Sequence, residues 1–237
     1  MSTMAEKKKD ISFEEFKAEV LRDYKIAYES RQASLSGRKE VLTGKAKFGI
    51  FGDGKELAQI AMAKQFRNGD WRSGYYRDQT FMFAMGLLSI EAFFAQLYAD
   101  TGNDPFSGGR QMNAHFATST IDQNGNWQDA TSLYNVSADI APTAGQMARA
   151  LGLALASKKY RSNEALKETK FSKSGQEVSF CTIGDASTSE GVFWETLNAA
   201  AVQQVPLAVF VWDDGYGISV PKKFQTAKSS ISAAVAG

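Results

Sequence analysis

The chain has 237 residues, 43% of them hydrophobic, which is enough for one α/β domain with a substantial core. Its 27 basic residues nearly cancel its 26 acidic ones, so no global field draws it to nucleic acid or to a membrane surface. The single cysteine, Cys181, excludes an intrachain disulfide framework and suits a reducing, cytoplasmic setting.

No apolar run follows Lys7-Lys8-Lys9, so neither a signal peptide nor a membrane anchor is expected there. From residue 12 to about 34, Phe13, Phe16, Val20, Tyr24, Ala27 and Tyr28 recur at helical spacing, and Ser12 with Glu15 forms a capping-box signature. Residues 35–55, with five glycines and several lysines, read as a loop, which divides the chain into an N-terminal extension (1–55) and an α/β domain (56–237). A second helix is expected over Glu56–Phe66, then an extended phrase from Trp71 to Arg77, then helices at Thr80–Met85 and Leu88–Tyr98.

Residues 100–130 are rich in Gly, Asn, Asp and Ser, and a loop this long usually carries function. Ala144–Tyr160 reads as a small-residue helix closed by basic residues. Val178–Ile183, Glu190–Gln204 and Pro206–Trp212 then give strand, helix and strand, a βαβ unit that implies a parallel sheet. The final phrase, Ile231–Gly237, has no closing element after it and reads as a chain cut partway.

Ligands of open parallel sheets collect at the carboxyl ends of the strands, and both strands end in oxygen-rich loops. The first is Gly184-Asp185-Ala186-Ser187-Thr188-Ser189-Glu190-Gly191, and the second is Asp213-Asp214-Gly215-Tyr216-Gly217. If the strands are neighbours, Asp185 and Asp214 face each other beside a helix N-terminus. Mg²⁺ favours such carboxylates together with phosphate oxygens, and backbone N–H groups around Ser187–Ser189 suit the phosphates. The implied ligand is a diphosphate held through Mg²⁺. Either loop alone is equally an ordinary turn, Arg77 alone an ordinary surface ion pair, and the lone His115 an ordinary buried histidine.

The string from Gly184 to Ser219 resembles the thiamine-diphosphate signature, in the variant of the α-type part of 2-oxo acid dehydrogenases. That resemblance implies a thiamine-diphosphate-binding α/β fold, with Asp185, Asp214 and the carbonyl of Tyr216 at the positions of the magnesium ligands. Gly184, Ala186 and Ser187 fall in the cofactor-binding motif. Two positions depart from it: Ala186 replaces a glycine, and Asp214 replaces an asparagine and adds a charge. Tyr75-Tyr76-Arg77-Asp78 is similar to the family phrase in which tyrosine and arginine hold the diphosphate, which assigns Tyr76 and Arg77 to the cofactor. Gly109–Phe116 resembles the branched-chain phrase GRQMPVHY, which makes His115 a candidate catalytic group donating to the substrate. Ile140–Gln146 corresponds to a loop touching the aminopyrimidine ring, through Pro142 and Thr143, with no potassium ion expected. Gly52-Asp53-Gly54 imitates the motif but lacks the preceding apolar strand, and matches a helix-start phrase instead. Cys181 reads as inert core, and Trp212 and Tyr216 as packing at the sheet edge.

The implied activity is oxidative decarboxylation of pyruvate or a branched-chain 2-oxo acid, with acyl transfer to a lipoyl group. The implied partners are a pyrimidine-binding (β-type) domain or subunit and a lipoyl-bearing acyltransferase, in an oligomeric assembly. Without the pyrimidine domain the isolated chain is expected to be inactive. Other readings are a transketolase-like or acetoin-cleaving enzyme with the same cofactor, and a noncatalytic nucleotide-binding domain.

Overall fold

The computed structural model describes residues 11–227 and 229–236, so the Lys7–Lys9 run lies outside it. The chain opens with α1 (Phe13–Leu42), whose N-cap Ser12 and Glu15 form the expected reciprocal capping box. There follow α2 (Glu56–Ala63), β1 (Trp71–Ser73), α3 (Gln79–Ala84), α4 (Ile90–Leu97), β2 (Asn135–Val136) and α5 (Gly145–Ser162). A small hairpin of β3 (Glu168–Thr169) and β4 (Ser172–Lys173) leads to β5 (Ser179–Gly184), α6 (Gly191–Gln203) and β6 (Leu207–Trp212). A second hairpin, β7 (Tyr216–Gly217) and β8 (Val220–Pro221), precedes α7 (Ile231–Ala234). The terminal phrase thus opens with a short helix, N-capped by Ser230, with Ile231 buried. Among the described residues no helix is long and apolar enough to cross a membrane.

β2, β1, β5 and β6 form one parallel sheet in that order. Strand alternation divides its side chains between two cores. Phe180, Ala208, Phe210 and Trp212 point toward a cluster with Met62, Phe81 and Phe93 of the N-terminal helices and Phe66 just after α2. Cys181, Ile183, Leu207, Val209 and Val211 point toward Met147 and Ala150 of α5 and Phe193 of α6. The sheet therefore lies between two helical layers, the expected α/β architecture.

The reading of residues 35–55 as loop is corrected at its start, since α1 runs on to Leu42. Gly37 looks like a turn residue, but it is buried and small because other elements approach it. A Cβ on Gly37 would sit 2.5 Å from the Phe51 ring. The face of α1 that packs inward is Ser30, Ala33, Ser34 and Gly37, whereas Phe13 (74% exposed) and Tyr24 (67%) look outward. Residues 100–130 are irregular as expected, organised by aspartate side chains that accept local backbone N–H groups, as Asp104 does from Phe106 and Gly109.

Beneath the carboxyl ends of the strands lies a fully buried ion cluster that the sequence did not announce. Arg72 of β1 donates through Nε to Asp78 at 2.8 Å and through Nη1 to Asp139 at 3.1 Å, with all three side chains sealed from solvent. Asp78 also accepts from Trp212 Nε1 at 2.7 Å and from Thr182 Oγ1, so one carboxylate ties β1, β5 and β6 together. Burial works to lower the Arg72 pKa, but Asp139 and Asp78 override it and raise it, so the guanidinium stays charged.

Candidate active site

The β5–β6 register aligns Gly184 with Trp212. The chain leaves both strands at the same level, and Asp185 and Asp213–Asp214 follow side by side. After Asp185 the backbone winds into a 3-10 turn (Ala186–Ser189) and then into α6. The Asp185 carbonyl accepts from Thr188 N at 3.1 Å and Thr188 Oγ1 at 2.6 Å, fixing that turn. Ser187 is half-buried within it.

Asp185 is 2% exposed, and its Oδ2 has no hydrogen-bond partner. Burial first, then the charges of Asp214 and Asp213, raise its pKa. Its neighbour is in the opposite state. Asp214 Oδ2 accepts from Arg77 Nη1 and stands 3.2 Å from Lys55 Nζ, while Oδ1 accepts from Tyr216 N at 3.3 Å. Burial works to raise the Asp214 pKa, but Arg77 and Lys55 override it and lower it. Asp213 is neutralised by Lys222, and Gly215 (φ +80°) turns the chain back into the β7–β8 hairpin.

The two loops touch. A Cβ on Gly217 would lie 2.6 Å from the Ala186 methyl, so the absence of a side chain at 217 makes the room that Ala186 fills. The departure at Ala186 is therefore accommodated within the motif.

Tyr76 lies between the other predicted residues. Its ring is stacked at 6.4 Å on His115, and the Arg77 guanidinium sits 5.7 Å over it. His115 is 2% exposed and its main chain is held by Gln96 through two hydrogen bonds. Its Nδ1 donates to the Asn113 carbonyl at 3.1 Å, because a carbonyl can only accept. In the neutral ring this leaves the unpartnered Nε2 an acceptor, so His115 donates from Nε2 only when protonated. Pro142 and Thr143 are exposed, on the loop entering α5, and among the described residues no hydrogen bond or ion pair joins them to the Asp185–Asp214 group. Gln146, three residues on, donates to the Thr182 carbonyl of β5 at 3.0 Å and so places that loop beside the strand ends.

Two residues here escaped the sequence reading. Lys55 is one. Tyr75 is the other: its hydroxyl is buried without a partner, 3.3 Å from where a Cβ on Gly184 would stand. Of the sheet-edge residues, Trp212 is buried and bonded to Asp78, while Tyr216 is 55% exposed. Cys181 is sealed in the core, where burial pushes its thiol up to about 12.

Gly52-Asp53-Gly54 has a role unrelated to the motif it imitates. A Cβ on Gly52 would fall on the Arg77 carbonyl oxygen, which Gln59 Nε2 also contacts at 2.7 Å. Gly52→Ala should therefore cost about 1–3 kcal/mol through overpacking against backbone. It should also displace Arg77, which a denaturation midpoint and a crystal structure of the variant would check.

The arrangement suits a Mg²⁺-bound diphosphate. Among the described residues no three His, Cys, Asp or Glu side chains gather into a metal site, so a metal here needs oxygens from its ligand. The unpartnered Asp185 oxygen beside Asp214 offers the protein's share, and Arg77 offers a cation to the phosphates. A half-open, mostly apolar cavity of about 170 Å³, lined by Trp71, Leu153, Tyr160, Phe171 and Ser179, lies at the opposite, amino ends of β1 and β5 and contributes nothing to this site.

The family model for the dehydrogenase E1 component matches residues 27–237. The chain is 31% identical over 191 residues to the 2-oxoisovalerate dehydrogenase subunit alpha of Bacillus subtilis (strain 168), covering 80% of this chain and 49% of that protein. It is 28% identical over 209 residues to the pyruvate dehydrogenase E1 component subunit alpha of Acholeplasma laidlawii, covering 86% and 48%. With the mitochondrial 2-oxoisovalerate dehydrogenase subunit alpha of Homo sapiens the identity is 26% over 190 residues, covering 80% and 36%. The chain thus spans about half the length of these relatives, or less. A match running through α2, the parallel sheet and both acidic loops leaves one conclusion: the chain belongs to the dehydrogenase E1 component family.

Proposed function

We propose that this chain forms the diphosphate-binding half of a thiamine-diphosphate site in the decarboxylating component of a 2-oxo acid dehydrogenase. The observation that carries this reading is the buried, unpartnered Asp185 oxygen beside Asp214 at adjacent strand ends. Asp185, Asp214 and the Tyr216 carbonyl hold Mg²⁺, and Arg77, Tyr76 and the turn Gly184–Ser187 hold the diphosphate. The cofactor, when bound, supplies the electron sink for decarboxylation. The protein's part is orientation and charge. His115, whose Nε2 has no partner, would carry proton traffic at the reacting end, and Pro142 and Thr143 would border the cofactor ring.

The names of its relatives point to a branched-chain 2-oxo acid first and pyruvate second. A β-type pyrimidine-binding subunit completes the site, and a lipoyl-bearing acyltransferase takes the acyl group, in the cytoplasm. Assays of carbon dioxide release from 2-oxoisovalerate and pyruvate test this reading, with thiamine diphosphate, Mg²⁺ and an artificial electron acceptor present. Turnover is expected only when a β-type subunit is added, and is expected to be greater with 2-oxoisovalerate. Turnover by the chain alone would refute the half-site reading.

A further inference from the structure

Lys55 is the charged group that the clamp described above leaves without a task. It stands one residue before α2, on a turn held from several sides. Gly54 takes φ +94° and donates its N–H to both Glu56 carboxylate oxygens, at 3.2 and 3.0 Å. Arg31 grips the same carboxylate through Nε at 2.6 Å and Nη2 at 2.8 Å. This turn directs the Lys55 side chain, only 11% exposed, at Asp214, with Nζ 3.2 Å from Oδ2. Arg77 occupies the same oxygen. One carboxylate oxygen therefore serves two cations, and Asp214 is the one ion-pair partner of Lys55 among the described residues.

The local charges are Asp185, Asp213 and Asp214 against Arg77, Lys55 and Lys222, three of each sign. A divalent cation taking Asp214 displaces Lys55 and Arg77 from it, and leaves both beside whatever anion arrives with the metal. An ammonium is a point charge with three donors and suits a phosphate oxygen. We propose that Lys55 is a diphosphate-binding residue that rests on Asp214 in the ligand-free chain and passes to a diphosphate oxygen when Mg²⁺ takes Asp214. This rests on the cofactor reading above.

The two roles of Lys55 act on two ligands with opposite sign, which makes the assignment testable by calorimetry on the 237-residue chain. In Lys55→Met, Mg²⁺ alone should bind a few-fold more tightly, because Asp214 has lost a competitor. Inorganic pyrophosphate with Mg²⁺ should bind about tenfold more weakly, the scale of one charge-assisted hydrogen bond at a half-open site. Lys55→Arg should return pyrophosphate affinity to within about threefold of the parent. Pyrophosphate affinity that is unchanged or improved in Lys55→Met overturns the assignment. So does a loss of both affinities together with a lowered melting temperature, which would make Lys55 a structural residue. Failure of the parent chain to bind pyrophosphate with Mg²⁺ would instead overturn the cofactor reading itself, and Lys55's role with it.

Discussion

Asp185→Ala is expected to weaken Mg²⁺-dependent binding of thiamine diphosphate by about 100-fold or more, since loss of a residue that merely supports a metal ligand already costs about 10–100-fold. The fold should survive, because the turn after β5 is fixed by the Asp185 carbonyl rather than by its side chain. Ligand-free stability at neutral pH should stay level or rise, since the substitution removes a buried carboxylate oxygen that has no partner. The pH dependence follows from the raised pKa of Asp185. A raised carboxyl pKa means that the folded chain holds this proton more tightly than the unfolded chain does. The cost of ionised Asp185 is then fully present above its folded pKa and fades as the pH falls through that value. Metal binding runs the other way: below the raised pKa, Mg²⁺ has to displace a proton, so affinity falls on acidification. Calorimetry across this range on parent and variant checks both signs. Retention of Mg²⁺-dependent binding in Asp185→Ala would remove Asp185 from the site.

The parts of this structure visible in the sequence share a physical cause. β5 is buried along its whole length and β6 is half-buried, both read as short apolar runs, and their parallel pairing follows from the helix between them. Once the strands are neighbours, Asp185 and Asp214 have to converge, and no tertiary detail is needed to see it. The C-terminal end of α1 was hidden because Gly37 is small for packing, which looks in sequence like smallness for turning. Tyr75 and Tyr76 are adjacent and chemically identical; only the backbone path shows that one buries its hydroxyl beside Gly184 and the other carries Arg77 and His115. Lys55 meets Asp214 from a turn far away in the chain, and no local pattern marks such a pair. The Arg72 cluster was missed for a different reason: a charged residue in a three-residue strand looks like surface until its partners are known.

That cluster is where the largest loss of stability is expected. Asp139→Ala should cost about 3–5 kcal/mol in denaturant unfolding, the range for breaking a buried ion pair from one side. The substitution strands the Nη1 of Arg72, which has no solvent to turn to, and removes the acceptor of Phe116 N at 3.0 Å. A buried charge without its partner keeps its full desolvation cost, so the loss exceeds that of any exposed pair. Arg38 and Asp53 meet at 2.7 Å with their side chains 48% and 25% exposed, and Asp53→Ala should cost no more than about 1 kcal/mol. The contrast is the test, because the two pairs have similar chemistry and differ in burial. Asp139→Ala should also loosen the backbone at His115, next to Phe116, without touching Asp185 or Asp214. Substrate-side function should therefore suffer more than pyrophosphate binding. Equal costs for the two substitutions would mean that the Arg72 cluster is not the clamp that holds the strand ends in register.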